Sequence, residues 1–297
     1  MECVVAVDVG GTSMKGGLIS RDGAVASFER RPTPRAQGAA EVIAAVSRFV
    51  GDLARTPGHE PVAVGLAVPG LVTAERAVFS AAFGWRDVPA AAFTDVALPV
   101  ALGHDVRSAG EAEMVYGAAR DRRDVLFLPI GTGIAAALAL SSRTSEPNSS
   151  VYGGAAGWAG QLGHIPVYPD GKPCGCGQRG CLSVYASASA IAERCGETSA
   201  ADVVTRVRAG DPEAVRVWSE AVEALALALA THTLLLDPEA IVIGGGLSLA
   251  GEVLLTPLRE RLSARLAFRG APELAVSRLG GEAGLLGAGL LGWRQAR

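Results

Sequence analysis

Residues 1–20 read MECVVAVDVGGTSMKGGLIS. The run 3–7 is rich in valine and predicts a strand, the segment 8–12 predicts a glycine turn, and residues 15–20 predict a second strand. Residues 21–23, Arg-Asp-Gly, form a typical hairpin turn that leads into a third predicted strand. The chain therefore opens as an antiparallel meander whose first turn is built from glycine.

The same pattern returns later in the chain. Residues 125–130 predict a strand, Gly131, Thr132 and Gly133 predict a turn, and residues 134–140 predict a second strand. We interpret this recurrence as an internal duplication. It predicts two α/β domains, each of which opens with a hairpin whose turn could hold phosphate.

Strands and helices alternate between and after these hairpins. Helical spacing of apolar residues predicts helices over 39–54, 105–119, 187–194, 200–208, 212–236, 252–266 and 284–293, and short apolar runs predict strands over 62–68, 240–243 and 274–277. The polar segment 141–150 is predicted to be a surface loop. We predict an N-terminal domain over residues 1–115, on which the C-terminal helix 284–297 packs back, and a second domain over residues 116–283.

Composition excludes several classes of protein. The 297 residues are 49% hydrophobic, which favours a packed globular protein, and the net charge of −3 gives no general attraction to nucleic acid or anionic membranes. The opening residues contain no basic leader, and the apolar run 224–236 is shorter than the roughly 20 residues that span a bilayer. We therefore predict a cytoplasmic protein without nucleic-acid or membrane partners.

One histidine and three cysteines lie close together in GHIPVYPDGKPCGCGQRGC, residues 163–181. His164, Cys174, Cys176 and Cys181 are the ligand set of a closed, four-coordinate structural Zn²⁺ site. Three reduced buried cysteines are the alternative, and a disulfide is a weaker one in a cytosolic chain. Burial alone does not explain three cysteines within eight positions beside glycines, so a metal site is favoured.

The first glycine turn could bind phosphate. Gly10 and Gly11 would let a phosphate approach backbone N–H groups, Thr12 can donate its hydroxyl, Lys15 is a further possible contact, and Asp8 can hold Mg²⁺. The chain contains no Walker loop. Taken alone, this segment is equally consistent with an ordinary hairpin turn.

Two further glycine turns permit similar interpretations. Gly131, Thr132 and Gly133 could bind phosphate, and two such turns could hold the phosphates of one nucleotide from both sides. Gly244, Gly245 and Gly246 follow a predicted strand, where α/β folds bind ligands, and their bare backbone would suit a purine. A tight turn from strand to helix is an equally good interpretation of this triplet.

Asp105 is the carboxylate predicted to act as general base. It lies at the start of a predicted helix, where an aspartate is also a favourable N-cap, and for the isolated residue the cap is the stronger interpretation. Phosphoryl transfer needs a carboxylate within reach of the acceptor hydroxyl, together with Mg²⁺ and phosphate-binding groups. His164 could serve twice, because one ring nitrogen can bind zinc while the other donates to a substrate hydroxyl.

Taken together, these residues resemble the ROK family of bacterial sugar kinases and repressors. The matching segments, in the family's order, are DVGGTSMK, LAVPG, HDV, PIGTGI, GQLGHI, CGCGQRGC and IVIGGG. The resemblance implies the actin/hexokinase-like ATPase fold, with two ribonuclease-H-like domains and an interdomain cleft for ATP and sugar. It also implies transfer of the ATP γ-phosphate to a sugar hydroxyl, usually at C6, and a homodimer. By the same resemblance Asp105 is the base, and His164 binds both zinc and sugar.

Repressors of the family carry an extra N-terminal winged helix. Here the phosphate motif begins at Asp8, which leaves no room for one, so the alternative from another class is a sugar or nucleotide sensor without catalysis and without a DNA-binding domain.

The chain departs from the family pattern where the sugar is expected to bind. Gln161 and Ser183 stand where glucose-binding members typically carry Glu, His104 stands where Asn usually precedes the base, and Ala82 stands where another Asn is expected. A mismatched polar partner in a buried pocket costs about 1–3 kcal/mol. Gly70 of the LAVPG segment is a further expected sugar contact. We therefore expect a hexose kinase whose substrate is modified near C1–C3, such as a kanosamine-like amino sugar or a cyclitol, with a plain glucokinase as the alternative.

Overall fold

The computed structural model describes residues 1–140 and 151–296. The predicted loop 141–150 lies outside these residues. The chain divides into two compact units. Unit 1 comprises Met1–Tyr116, Gly153–Trp158 and Gly281–Arg297, and unit 2 comprises Gly117–Tyr152 and Ala159–Gly280.

Unit 1 is built on a five-stranded sheet in the order β3-β2-β1-β4-β8. Its strands and helices are β1 (Glu2–Val9), β2 (Ser13–Ile19), β3 (Val25–Pro32), α1 (Ala39–Ala54), β4 (Glu60–Val68), β5 (Leu71–Val72), β6 (Arg76–Ser80), β7 (Trp85–Pro89), β8 (Val100–His104) and α2 (Asp105–Tyr116). β1, β2 and β3 are antiparallel, as the opening sequence predicts, whereas β4 runs parallel to β1 and to β8.

Helix α1 forms over the predicted residues because its apolar side chains recur at helical spacing. Val42, Val46, Phe49 and Val50 are completely buried against the sheet. The neighbouring strands β5, β6 and β7 form a small antiparallel sheet that the sequence analysis did not predict. Trp85 on β7 is buried beside Phe83 and Phe93, so this small sheet shares the core of unit 1.

Unit 2 repeats the strand arrangement of unit 1. Its strands and helices are β9 (Val125–Pro129), β10 (Ala137–Ala139), α3 (Ser183–Ala186), α4 (Ala188–Arg194), α5 (Ala200–Arg208), α6 (Pro212–Leu236), β11 (Ala240–Gly244), α7 (Glu252–Arg265) and β12 (Glu273–Val276). The sheet order is β10-β9-β11-β12, with one antiparallel pair followed by two parallel pairs, as in β2-β1-β4-β8. The predicted duplication is therefore present in the topology.

The second strand of the unit 2 hairpin is shorter than predicted. Residues 134–140 were expected to be continuous, but β10 covers only Ala137–Ala139. The N–H of Ala136 donates to the carbonyl oxygen of Gly160 at 2.7 Å, and Ile134 forms only an isolated bridge with Ile130. At Ala136, the hydrogen bond that strand β9 would accept in a continuous hairpin is therefore accepted by Gly160, in the glycine-rich segment before His164.

Helix α6 is the central helix of unit 2. It is capped by Asp211, whose carboxylate accepts from the N–H of Ala214 at 2.9 Å, and it ends at Asp237 in a left-handed conformation. By length and composition alone α6 could cross a membrane, but 56% of its most apolar window is buried within the fold. It packs against α3, α5 and α7, which agrees with the prediction of a core helix.

The last helix, α8 (Ala283–Gln295), packs on the sheet of unit 1 against β1 and β4, and also against α2. The contact is unusually close because glycines meet backbone. A Cβ added at Gly65 would lie 1.9 Å from the carbonyl oxygen of Ala288, and one added at Gly287 would lie 2.1 Å from that of Ser108. A side chain at either position would push α8 away from the sheet or from α2.

Buried His232 on α6 makes the stability of the fold depend on pH. Burial lowers the pKa of His232 from 6.5 to about 4, so the unfolded chain binds this proton more readily than the folded chain does. Neutral His232 contributes to the free energy of unfolding in full above pH 6.5. This contribution, at most about 3 kcal/mol, is lost as the pH falls from 6.5 towards 4. Urea unfolding followed by circular dichroism should show a smaller acid loss in His232→Leu than in the wild type. An equal loss of unfolding free energy in the two proteins would show that His232 is not the source of this pH dependence.

Candidate functional site

The parallel strands of unit 1 end at one edge of the sheet and carry predicted site residues there. Asp8 on β1 pairs with Ala67 on β4, and the next β4 residue, Val68, pairs with His104 on β8. Asp105 follows β8 directly. The strand register therefore brings Asp8, His104 and Asp105 to the same edge, although almost a hundred residues separate the first from the others.

Gly70 lies just beyond the same edge, between β4 and β5. Its φ of 119° belongs to the range that favours glycine, and an added Cβ would lie 2.2 Å from the carbonyl oxygen of Phe79. Gly70 therefore shapes the backbone at this edge. Ala82 lies in the turn between β6 and β7 of the same unit.

The first glycine turn is held in shape by its neighbours. The N–H of Gly10 donates to the carbonyl oxygen of Ser13 at 3.1 Å, and the Thr33 hydroxyl donates to the carbonyl oxygen of Gly10 at 2.7 Å. The N–H of Thr33 donates to the carbonyl oxygen of Thr12 at 3.0 Å. Gly11 and Thr12 remain exposed, so a ligand can reach the tip of a turn whose base is fixed. Thr33 lies outside the motifs that the sequence shows, and its role follows from the structure alone.

Asp8 and Lys15 form a partly buried ion pair beside this turn. Lys15 Nζ lies 3.7 Å from Asp8 Oδ2 and donates to the carbonyl oxygen of Gly281 at 2.6 Å. Burial raises the pKa of Asp8 to about 6, Lys15 opposes that increase, and the charge of Asp105 adds to it. The Asp8 carboxylate is a hard oxygen ligand of the kind that Mg²⁺ prefers, so this residue fits the ion.

Asp105 is the first residue of α2, and its carboxylate is about 30% exposed. Its Oδ1 accepts from the N–H of Val106 at 2.7 Å, and burial raises its pKa. An N-cap aspartate would accept from a backbone amide two or three residues further along the helix. Here the backbone N–H of Arg107 donates to His104 Nδ1 at 3.4 Å and not to Asp105. The cap interpretation of Asp105 is therefore not supported, and its carboxylate is available to a substrate.

His104 is neutral at neutral pH, because burial lowers its pKa to about 4. Its Nδ1 lies 3.2 Å from Asp105 Oδ1 and 3.4 Å from the backbone N of Arg107. One tautomer can donate to the carboxylate, and the other can accept from the amide. In either form, the His104 ring contacts the predicted base.

Arg107 is a site residue that sequence reasoning missed. Its Nη1 donates to the carbonyl oxygen of Gly157 at 2.9 Å, and its positive charge lowers the pKa of Asp105 against the effect of burial. The sequence does contain one indication of its role, because in HDVR the arginine follows the predicted base Asp105 by two positions. Gly157 precedes Gln161 by only four residues in the chain.

In unit 2, the two later glycine turns are neighbours at the edge of the second sheet. Parallel pairing places Gly244 opposite Pro129, and the N–H of Ile130 donates to the carbonyl oxygen of Gly244 at 3.0 Å. The start of α4 is attached to the first of these turns, since Ser189 Oγ donates to the carbonyl oxygen of Thr132 at 2.5 Å. Thr132, Gly133, Gly245 and Gly246 are all exposed.

A cavity of about 220 Å³ lies beside the 244–246 turn. Most of its wall is apolar, and its lining residues are Ala200, Ala201, Val204, Thr205, Arg208, Gly246, Leu247, Leu249 and Ala250. Apolar side chains and the bare backbone of Gly246 leave room beside the turn for a flat heterocycle, and the purine site stays a prediction.

The predicted sugar-binding residues of unit 2 are close in space. His164 ends a single helical turn, Leu162–His164, that follows the exposed Gln161, and Ser183 is the first residue of α3. A Cβ added at Gly163 would lie 2.4 Å from Ser183 Oγ and 2.1 Å from the carbonyl oxygen of Ile134. Gly163 thus lets the His164 turn and Ser183 approach the chain that follows the 131–133 turn.

The histidine and the three cysteines also come together. One ligand atom from each of His164, Cys174, Cys176 and Cys181 lies within 4.8 Å of the others. Cys176 Sγ lies 3.7 Å from Cys181 Sγ, and Cys174 Sγ lies 3.9 Å from His164 Nδ1. Zn–S bonds of about 2.3 Å in tetrahedral geometry separate neighbouring sulfurs by about 3.8 Å, so the cluster could hold zinc.

Electrostatics of the cluster also favour a cation. Burial, followed by hydrogen bonds and the charges of the other two cysteines, raises the pKa of Cys181 to about 12. Several thiolates at this separation therefore require a positive ion among them. With Nδ1 facing the sulfurs, Nε2 of His164 remains available as a donor to a ligand.

Comparison with known proteins agrees with this geometry. The ROK family model matches residues 4–295. A glucokinase of Halalkalibacterium halodurans is 31% identical over 97% of this chain and 94% of its own length. An N-acetylmannosamine kinase of Yersinia pseudotuberculosis is 30% identical over 98% of each chain.

A solved structure shows the same fold. The ROK family glucokinase from Streptomyces griseus, in complex with glucose and AMPPNP, aligns with a TM-score of 0.83 and 28% identity over 98% of this chain and 99% of that one. Both units thus have the ribonuclease-H-like topology of the actin/hexokinase-like ATPase fold, as predicted. The family match spans nearly the whole chain and includes both sheets and the metal cluster, so the chain belongs to the ROK family.

Proposed function

We propose that this protein is an ATP-dependent kinase that transfers the γ-phosphate to the primary 6-hydroxyl of a hexose. Its ROK relatives include glucokinases and an N-acetylmannosamine kinase. The observation that carries the proposal is the placement of Asp8 and Asp105 at one sheet edge, close enough for their charges to interact. A phosphoryl transferase needs one carboxylate for the metal and one for the acceptor hydroxyl.

Asp105 is the proposed general base. Its carboxylate accepts the proton of the sugar hydroxyl as that oxygen attacks phosphorus, and the pKa increase caused by burial strengthens it as a base. Asp8 would hold Mg²⁺, which neutralises charge on the phosphates when bound. Lys15 keeps Asp8 in place and adds a positive charge beside the turn.

Backbone N–H groups are proposed to bind the nucleotide in each unit. In unit 1 these belong to Gly11 and Thr12, because the N–H of Gly10 already donates to Ser13 inside the turn and Gly10 contributes its bare backbone. In unit 2 they belong to Thr132 and Gly133, because the N–H of Gly131 already donates to the carbonyl oxygen of Gly133 at 3.0 Å. The purine is assigned to the turn 244–246 and the cavity beside it, where Gly246 and Leu247 form part of the wall. The exposure of these turns supports the assignment.

The acceptor sugar is proposed to contact Gly70, His104, Gln161, His164 and Ser183. Gln161 can both donate and accept, and Ser183 is short and uncharged, so the set differs chemically from one that contains glutamates. We propose a hexose or a modified hexose, such as an amino sugar or a cyclitol, as substrate. Structural zinc at the Cys₃His cluster, a homodimeric assembly, and a cytoplasmic location without nucleic-acid or membrane partners complete the proposal.

A sugar or nucleotide sensor without catalysis is the second candidate. The neutral side chains of Gln161 and Ser183 favour it, whereas the accessible carboxylate of Asp105 favours the kinase. A coupled ADP-release assay over glucose, N-acetylmannosamine, kanosamine and a cyclitol separates the two. Binding without ADP release from any sugar would establish the sensor.

Replacing the base tests the chemistry directly. Asp105→Asn keeps an oxygen acceptor for the N–H of Val106 but removes proton acceptance, so kcat should fall by about 10²–10⁴-fold with an unchanged melting temperature. Asp95→Asn, which alters an exposed carboxylate of the same unit, is the matched control and should keep wild-type turnover. Wild-type kcat in Asp105→Asn would exclude Asp105 as the base.

Removing zinc tests the metal assignment. Elemental analysis should find one zinc per chain in the wild type and none in Cys176→Ser, whereas Cys195→Ala should retain the metal. Because the ligands span the segment between His164 and Cys181, metal loss should disorder it and abolish sugar binding, as measured by calorimetry. Full sugar binding by a metal-free preparation would contradict this role.

A further inference from the structure

Arg107 in unit 1 has no role in the chemistry proposed so far. It is partly buried, its Nη1 donates to the carbonyl oxygen of Gly157, and an added Cβ at Gly153 would lie 3.6 Å from that nitrogen. Segment 153–158 therefore packs against the guanidinium. Within residues 1–140 and 151–296, no carboxylate forms a direct ion pair with it.

A single bond to a neutral carbonyl does not require a guanidinium. Arginine offers five N–H donors in a planar fork that matches carboxylate and phosphate groups, and it keeps its charge when partly buried. Burial lowers the pKa of Arg107, which means that its surroundings disfavour the charge, while Asp105 partly offsets this effect. An anionic ligand group beside Arg107 would use the remaining donors and stabilise the charge.

The two cations of this sheet edge act on different carboxylates. Lys15 is the nearest charge to Asp8 and lowers its pKa, whereas Arg107 is the charge that lowers the pKa of Asp105. Asp8 and Lys15 belong to the phosphate turn, and Asp105 faces the acceptor hydroxyl. The backbone N of Arg107 lies 3.4 Å from His104 Nδ1, which is 3.2 Å from Asp105 Oδ1, so the geometry also places Arg107 beside the predicted base, on the acceptor side.

We propose that Arg107 is a specificity-determining residue that binds an anionic substituent of the sugar, a carboxylate or a phosphate, on an acceptor whose primary hydroxyl is free. This inference rests on the proposed kinase function. The hydroxyl oxygen forms a bond to the γ-phosphorus, the bond from that phosphorus to ADP breaks, and the hydroxyl proton passes to Asp105. The positive charge of Arg107 disfavours an ammonium group beside it, so among the modified hexoses proposed above this inference favours acidic sugars over those with a free amine.

Matched pairs of sugars test the proposal by ADP release. N-acetylmuramic acid differs from N-acetylglucosamine by a group that carries a carboxylate, and glucose 1-phosphate differs from glucose by a phosphate. We expect kcat/KM to be about 10–100-fold higher for the acidic member of one pair than for its neutral member. The pair that shows this preference tells whether Arg107 binds a carboxylate or a phosphate. Glucosamine, whose substituent is an ammonium, should be poorer than glucose.

Variants connect that preference to Arg107. Arg107→Gln keeps a donor for the carbonyl oxygen of Gly157 but removes the charge, so the ratio of kcat/KM between acidic and neutral members should fall about tenfold or more. Arg107→Lys should keep part of the ratio, and Arg120→Gln, which changes an exposed arginine, should keep all of it.

Two results would overturn the proposal while leaving the proposed kinase in place. In the first, the wild type prefers the neutral member of both pairs, a result that does not depend on how the variants fold. In the second, Arg107→Gln lowers kcat/KM equally for both members, as loss of a purely structural contact would. ADP release from neutral sugars alone contradicts the role of Arg107 but keeps the kinase. No release from any of these sugars or from those tested above contradicts the kinase and, with it, this proposal.

Discussion

The register of the parallel strands is the constraint on which the other features depend. Pairing of β1 with β4 and of β4 with β8 places Asp8 and His104 at one sheet edge, and Asp105 follows immediately. In unit 2 the pairing of β9 with β11 places two glycine turns side by side. Because parallel strands share the edge at which they end, residues far apart in sequence meet without long connections.

Much of the fold could be predicted because its signals are local. The opening hairpin, helix α1 and the repeated pattern at residues 125–140 each show a period or a turn that can be identified within a few positions. The small sheet of β5, β6 and β7 has short strands and gave no comparable signal. The shortened β10 depends on Gly160, a residue more than twenty positions away, whose carbonyl takes the N–H of Ala136.

The candidate site also contains some features that local sequence signals predict and others that depend on residues far apart in the chain. The clustering of His164 with three cysteines could be predicted because the four residues lie within eighteen positions and are the residue types that zinc sites use. The proximity of Asp8 and Asp105 could not be predicted, since it depends on pairing between distant strands. Arg107 was missed because its side chain contacts Gly157, which is fifty residues further along the chain. The roles of the individual site residues and the predicted domain limits stay predictions.

The close packing of α8 on β4 has a consequence for how the protein is made. Unit 1 needs residues from both ends of the chain, because Gly65 on β4 accommodates the backbone of α8, around Ala288. The segments of unit 2 are all translated before α8 leaves the ribosome. The strands of unit 1 are therefore made long before the helix that packs on them, and one face of their sheet stays uncovered until then. In a growing chain, the N-terminal strands are thus the part that most needs chaperone protection.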